Sequence, residues 1–304
     1  MSSILNIRLK LNRGFAWYHF FMCSFITLGS PFYPQGIRLQ KNPPFKLYYI
    51  GDLNTAIGNK IISIVGSRKM TKYANMVLER FIPVFVRSGL VVVSGFMHGV
   101  DIKAHELVVS SGGRTIAILP CGLDINYPSD FAYLRDAIVK GGGLLLSRFS
   151  EGERPQRWMY IKRNELVASI SECVLVIEAD AGSGTMTTAN IALKIKKPVF
   201  VIPSSINSPN SSGVVELLQK GAHAVNDPLD ILKFFKVAYE NTKNVPVEIE
   251  GDQLDVFLYL QTKPSNAYAL SKGLRLELSS VYIVLHELLA RGLVYLDKGK
   301  YHAK

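Results

Sequence analysis

Acidic residues are missing from the first 50 positions of this 304-residue chain. Long apolar runs, a cysteine framework and the common nucleotide-binding fingerprints are missing from all of it. Each absence excludes a class of protein. Three scattered cysteines (Cys23, Cys121 and Cys173) with no C-x-x-C rule against a disulfide scaffold and a structural metal site, and read as free thiols in a reducing cytoplasm. No G-x-x-x-x-G-K-[ST] occurs, so the chain is not a P-loop nucleotidase. No G-x-G-x-x-G follows the first central strand with an acid some 20 residues on, which disfavours NAD or FAD. A G-x-S-x-G nucleophile elbow is likewise missing, and no internal repeat or low-complexity tract is present. Residues 15–29 are apolar and follow Arg8, Lys10 and Arg13, which resembles a signal-peptide core. The run is short of the ~20 residues of a membrane span, and no small-residue cleavage site follows it. Residues 1–32 are therefore expected to be an unassigned leader, packed or poorly ordered, with a true start codon downstream as one reading. No membrane association is expected.

What is present is a globular composition, 48% hydrophobic and 19% charged. The net charge is +11, of which the acid-free first 50 residues carry six (Arg8, Lys10, Arg13, Arg38, Lys41, Lys46). The remaining 11 − 6 = 5 charges make the rest only mildly basic, so a nucleic-acid site should be a local patch.

From residue 61 the pattern alternates. Short β-branched apolar runs at 61–65, 90–94, 115–119, 143–147, 173–179 and 198–202 have the look of strands buried on both faces. Helical stretches at 73–88, 100–110, 129–140, 163–170, 185–196 and 214–220 separate them, with Pro83 expected to kink the first. This is an α/β fold: an extended Rossmann-like, doubly wound, mostly parallel sheet. After a further helix at 229–235, residues 240–251 turn polar and read as a linker. Helices at 253–260, 265–272 and 277–291, then a hairpin at 293–301, have the layout of a small C-terminal winged-helix domain. The expected boundaries are 33–236, a linker at 237–252, and 253–304.

Ligands of open α/β sheets bind at the carboxyl ends of the strands. Here those ends read Gly66-Ser67-Arg68, then Ser94-Gly95-Phe96-Met97-His98-Gly99-Val100-Asp101, then Cys121-Gly122-Leu123-Asp124, and Asp180-Ala181-Gly182-Ser183-Gly184-Thr185-Met186-Thr187-Thr188. Glycine permits close backbone approach, and helix starts present free N–H groups to anions. Any one such loop is equally a tight turn; four together favour a row of phosphates. Arg154, Arg157, Lys162 and Arg163 alternate with Trp158 and Tyr160 in what reads as a loop, pairing cations for phosphates with aromatics for bases. A solvated loop with its aromatics tucked into the core is the alternative. Asp101 and His105 read as a capping carboxylate and a packed or surface imidazole, and Asp124 as an organiser of its loop. No catalytic constellation, cofactor or metal site is expected.

The string Gly66-Ser67-Arg68, Ser94-Gly95, Gly99-Val100-Asp101, Ala104-His105, Gly122-Leu123-Asp124, Tyr127-Pro128, Arg163-Asn164, Glu178-Ala179, Ser183-Gly184, Thr188-Ala189 and Gly221-Ala222 resembles the DNA-processing protein A (DprA, or Smf) family. Pro43-Pro44-Phe45 and Gly51-Asp52-Leu53 resemble its lead-in, so the likeness spans roughly 33 to 232. The resemblance implies a non-enzymatic, cytoplasmic, homodimeric single-stranded DNA (ssDNA) binder. Such a protein protects incoming strands and loads the recombinase RecA during natural transformation. It implies that Gly66, Ser67, Arg68, Ser94, Gly95, His98, Gly99, Ser183, Gly184 and Thr185 line the phosphate path, that Arg157, Lys162, Arg163 and Asn164 add charge and hydrogen bonds, and that Tyr160 offers a stacking face. Against the family pattern, His98 and Glu165 stand where arginine is usual, Arg148 where an acid is usual, and Asn190 where arginine is expected.

Two other readings compete. One is a nucleotide-processing enzyme like the lysine-decarboxylase-like phosphoribohydrolases, although their P-G-G-x-G-T loop and catalytic Glu are not matched here. The other is a ligand sensor whose winged helix reads DNA, although its helix 277–291 carries only Arg291 as arginine or lysine. For dimerisation, the apolar segments 199–202 and 214–218 are the candidates, with core packing as the alternative.

Overall fold

The computed structural model describes residues 23–205, 207–237 and 249–303. The chain divides into two compact units near residue 240. The first is built on a nine-stranded sheet. It starts with β1 (Ser24–Thr27), α1 (Gln35–Arg38) and β2 (Lys46–Gly51), which the hydrophobic pattern alone did not reveal. Ser24–Thr27 belongs to the sheet, so the fold reaches into the segment expected to be a leader; residues 1–22 lie outside the described residues. The alternating part follows as β3 (Ile61–Val65), α2 (Lys72–Arg87), β4 (Val91–Ser94), α3 (Val100–Ser110), β5 (Thr115–Ile118), α4 (Ala132–Lys140) and β6 (Leu144–Ser147). Then come α5 (Arg157–Ile170), β7 (Cys173–Val176), α6 (Gly184–Lys194), β8 (Val199–Val201), α7 (Ser212–Gln219), β9 (His223–Ala224) and α8 (Pro228–Phe235). Helix α2 continues through Pro83.

The strand order is β1-β2-β6-β5-β4-β3-β7-β8-β9. Strands β3 to β9 pair in parallel, while β1 and β2 form an antiparallel extension on β6. The continuous apolar runs follow from burial on both faces. Val91, Val93, Ile116, Ile118, Val174 and Val176 meet α5 and α6 through Leu166, Val167, Ala189 and Ala192. The alternate residues Ile62, Ile64, Val92 and Leu175 face α2 and α3 through Leu78, Phe81, Phe85, Ala104 and Val108. Burying each such large side chain contributes roughly 1.5–3 kcal/mol.

Proceeding from β3, the chain winds outward through β4, β5 and β6, then returns to lay β7 on the other side of β3. The topological switch is therefore between β3 and β7. Loops leaving those two strands diverge to opposite sides and leave a crevice at their carboxyl ends.

The second unit contains α9 (Asp252–Thr262), α10 (Ala267–Leu274), α11 (Leu278–Ala290) and a hairpin of β10 (Val294–Asp297) with β11 (Lys300–Ala303). Val256, Leu260, Leu270, Val281, Leu285, Leu288 and Val294 form its own core. Three helices and a wing, with Ser265 bridging Tyr301, are a winged-helix arrangement. Most of the polar stretch expected as a linker lies outside the described residues.

His105 on α3 is buried against Phe96, with ring centroids 5.6 Å apart. The Thr115 hydroxyl donates to the Val92 carbonyl at 2.7 Å. It therefore accepts the 2.8 Å bond from His105 Nδ1, and the ring is the neutral Nδ1–H tautomer. Burial, with the Arg163 charge adding to it, lowers its pKa from 6.5 to about 3. The unfolded chain takes up this proton below about pH 6.5 and the folded chain does not, so the contribution is complete above 6.5 and lost as pH falls toward 3. Wild type should lose about 2 kcal/mol more stability between pH 7 and pH 5 than a His105→Leu variant, at about 1.4 kcal/mol per unit. Urea unfolding of the α/β unit at the two pH values measures it; equal losses would disprove the neutral ring.

Candidate functional site

The crevice at the β3–β7 switch holds a cleft of about 430 Å³. The turn after β3 supplies Gly66, Ser67, Arg68 and Lys69, and the turn after β4 supplies Gly95 and Met97. Helix α5 contributes Tyr160, Ile161, Arg163 and Asn164. The start of α6 contributes Ser183, Gly184, Thr185, Thr187 and Thr188, with Asp180 and Asn210 at the rim.

Local chemistry ties these pieces together. Ser183 caps α6, its Oγ accepting from the Met186 N–H. Thr185 Oγ1 donates to the Gly66 carbonyl at 2.8 Å, and Asn164 Nδ2 to the Gly184 carbonyl at 3.3 Å, so the loops after β3 and β7 and helix α5 are stitched at the cleft floor. The first amides of α6 have no partner within the helix and carry the positive end of its dipole. Gly99, at φ 81°, precedes α3 with its Cα hydrogens against the carbonyls of Ser67 and Arg68; a side chain would collide there. The Asp180 carboxylate is turned onto its own loop, accepting from Ala181 N at 2.9 Å and Ser212 Oγ at 2.6 Å.

Arg163 is the unusual member. Its guanidinium is only 4% exposed, and a Cβ on Gly95 would overlap it. Its ion-pair partner is Asp101, at a long 3.7 Å, and its Nε has no hydrogen-bond partner. Desolvation lowers the Arg163 pKa and raises that of Asp101, the attraction between them opposing each shift. A buried, incompletely compensated cation lining a cleft is suited to an anionic occupant.

The structure redraws parts of the sequence reading. The basic and aromatic run is not a loop: α5 begins at Arg157, six residues before the expected start, and its side chains point around a helix. Tyr160, Arg163 and Asn164 face the cleft, while Arg157 and Lys162 lie outside its lining, and Lys162 pairs with Glu165 at 3.0 Å. Ser94 is fully buried and its hydroxyl donates to the Ile64 carbonyl, so its side chain offers nothing to a phosphate. His98 turns away onto Phe131 and sits 3.6 Å from Asp130. One face of the Tyr160 ring is taken by Arg68. The Arg68 guanidinium lies 5.5 Å from its ring centroid, and its hydroxyl donates to Tyr127 Oη at 2.6 Å. Burial, then that bond, push the Tyr160 pKa up. Lys69, Ile161 and Asn210 were not anticipated. Lys69 carried a signal, adjoining Arg68 in the same turn. Asn210 reaches Lys69 O from 141 residues away, which no local pattern reveals. Asp124 holds the loop before α5, both its oxygens accepting from Gly152 N–H. Among the described residues no group of metal-ligating side chains occurs, and no helix is long and apolar enough to cross a membrane.

A family model described as DNA recombination-mediator protein A matches residues 24–236. The DNA processing protein DprA of Bacillus subtilis is 32% identical over 224 residues, which cover 74% of this chain and 75% of that protein. DprA of Streptococcus pneumoniae is 34% identical over 204 residues, covering 67% and 71%. Protein Smf of Synechocystis is 34% identical, but the match spans only 51% of its length. Among solved structures, S. pneumoniae DprA aligns with a TM-score of 0.65 at 33% identity, covering 69% of this chain and 73% of that one. Helicobacter pylori DprA, whose structure is described in terms of its single-stranded DNA binding mode, aligns with a TM-score of 0.65 at 32% identity, covering 71% and 97%.

Two of the residues that depart from the resemblance's pattern are linked. Arg148, after β6, and Glu165, on α5, face each other at 3.7 Å as an ion pair. Asn190 accepts from Lys220 Nζ at 3.1 Å, which puts the cation that follows α7 beside it. Glu165→Arg alone sets a cation against Arg148 and Lys162, and Arg148→Glu alone sets two acids together. Each should cost about 1 kcal/mol, and the double exchange should restore most of it, because the groups are partly exposed. A double-mutant cycle by thermal or urea unfolding should give a coupling of about 1.5–2 kcal/mol; additive effects would show that the two do not interact.

Proposed function

This chain belongs to the DNA recombination-mediator protein A family, and from that membership and the chemistry of the crevice we propose that it binds ssDNA along the carboxyl edge of its sheet. We further propose that it acts in the cytoplasm as a non-enzymatic mediator that protects incoming strands and loads a RecA-type recombinase during natural transformation. The observation that carries the binding proposal is the convergence on one cleft of the α6 start, the Gly66–Lys69 turn and the buried Arg163 guanidinium, whose Nε has no partner. Fixed donors and cations without a base-reading set favour the phosphodiester chain over any particular sequence.

Arg68 and Lys69, both exposed, are positioned to take phosphates, with the amides of Gly184 and Thr185 behind them. Arg163 supplies charge from the wall. Arg68, resting on Tyr160, offers its planar face to a base or its edge to a phosphate. The phosphoribohydrolase alternative needs a free carboxylate. Glu178, at the end of β7, is buried, and accepts from the Thr71 N–H at 3.0 Å and the Thr71 hydroxyl at 2.8 Å. Release of a free base from AMP would nevertheless overturn the non-enzymatic reading.

For the homodimer, residues 199–202 are unsuitable: they are buried in and beside β8. Helix α7 instead leaves Val215 and Leu218 exposed, so the proposed dimer uses that face.

Two measurements test the proposal. Fluorescence anisotropy with labelled oligo-dT should show salt-sensitive binding. Arg68→Ala should weaken it about tenfold and lower the salt slope by about 0.7, one phosphate contact on a single strand. Arg157→Ala and Lys162→Ala should each change it by less than about threefold, as expected of rim charges. No binding at low salt sinks the proposal. In sedimentation, Val215→Asp with Leu218→Asp should convert a dimer to a monomer; a dimer that survives places the interface elsewhere.

A further inference from the structure

At the opposite end of the sheet, by the amino ends of β3 and β7, a second cleft of about 680 Å³ opens. It lies between α1 and the residues after it, the turn before β3, the α5–β7 connection and the end of α6. Its rim leaves two aliphatic side chains in water, Leu39 at 74% exposure and Ile195 at 42%. Its lining also includes Ser171, whose side chain is 1% exposed and whose hydroxyl has no hydrogen-bond partner. Three lysines line it (Lys41, Lys60 and Lys197) against one acid, Glu172.

The lysines are unequal. Lys60 Nζ donates to the Phe235 carbonyl at 2.8 Å. Lys197 donates to the carbonyls of Ser169 and Ser171, where α5 ends. Burial lowers Lys197 to about 8 although Glu172 lies nearby, so its charge is under-compensated. Lys41 is exposed. Glu172 Oε2 is engaged by the Ile61 N–H at 3.2 Å. The result is an apolar mouth with excess positive charge and one unsatisfied buried hydroxyl.

We propose that this second cleft binds a small amphiphilic carboxylate, its aliphatic body lying between Leu39 and Ile195 and its charge drawn to the lysines. The size falls in the range of sites for compact ligands. Phosphate sites use the starts of longer helices and arginine forks; the helix start here belongs to the four-residue α1, and no arginine lines the cleft. Separate lysines and a hydroxyl suit a lone carboxylate. The site is distinct from the crevice, yet α5 touches both. Tyr160, Arg163 and Asn164 line the crevice, and Ser169 and Ile170 line the second cleft.

Isothermal titration calorimetry of the full chain with sodium octanoate tests this, with acetate (charge without a body) and 1-octanol (body without charge) as comparisons. Octanoate should bind at one site with a sub-millimolar constant, and each comparison at least tenfold more weakly. Ile195→Asp should weaken octanoate at least tenfold and Lys41→Glu at least threefold. Leu39→Asp serves as a second rim variant, and melting temperatures check that each variant is folded. Absence of octanoate binding, octanol binding as tightly as octanoate, or unchanged affinity in both rim variants would overturn the proposal. Oligo-dT binding by the same preparations is a separate readout, so an inert cleft in a DNA-binding protein counts against this proposal alone.

Discussion

A guanidinium buried beside a carboxylate it does not fully meet sets the terms for the rest of the crevice. Taking Arg163 and Asp101 out of water is costly, and at 3.7 Å their attraction repays it incompletely. The surroundings are fitted to that pair. Gly95 is the one residue type that leaves room for the guanidinium. Met97 N–H donates weakly to Asp101 at 3.4 Å. Removing either charge alone strands the other in the core, whereas an anion entering the cleft relieves it. The feature that is weakest as a source of fold stability is therefore the strongest pointer to a ligand.

Most other charges near the site are neutralised locally. Lys162 and Arg148 both engage Glu165, and His98 lies beside Asp130. Within the cleft lining this leaves the turn after β3 and the start of α6 as the open positive surface, while the exposed Arg154 and Arg157 lie outside it.

The parallel sheet, its helices and the crevice were legible because apolar runs and glycine-rich strand ends are local signals. Strands β3, β4, β5, β6, β7 and β8 lie within the segments expected for them. The beginning of α5 was hidden for a physical reason. Met159, Arg163, Val167 and Ile170 share one buried face, but the second is a cation, so the helical period reads as broken. Strands β1 and β2 were missed because they join an edge and carry exposed residues such as Phe25. The fates of Ser94 and His98 depend on where side chains turn. Ser94 finds a carbonyl on the neighbouring strand and His98 finds Phe131, and neither partner is close in sequence.

The resting place of Arg68 has a kinetic consequence. A free arginine on a surface carries roughly 2 kcal/mol of rotamer entropy, which is forfeited when it grips a ligand. Stacked on the Tyr160 ring, which is itself pinned through its hydroxyl to Tyr127, Arg68 has already surrendered part of that freedom. An anionic ligand entering the cleft would meet a guanidinium already resting on a ring. For the proposed single-stranded DNA ligand, the smaller ordering penalty should appear mainly as slower release.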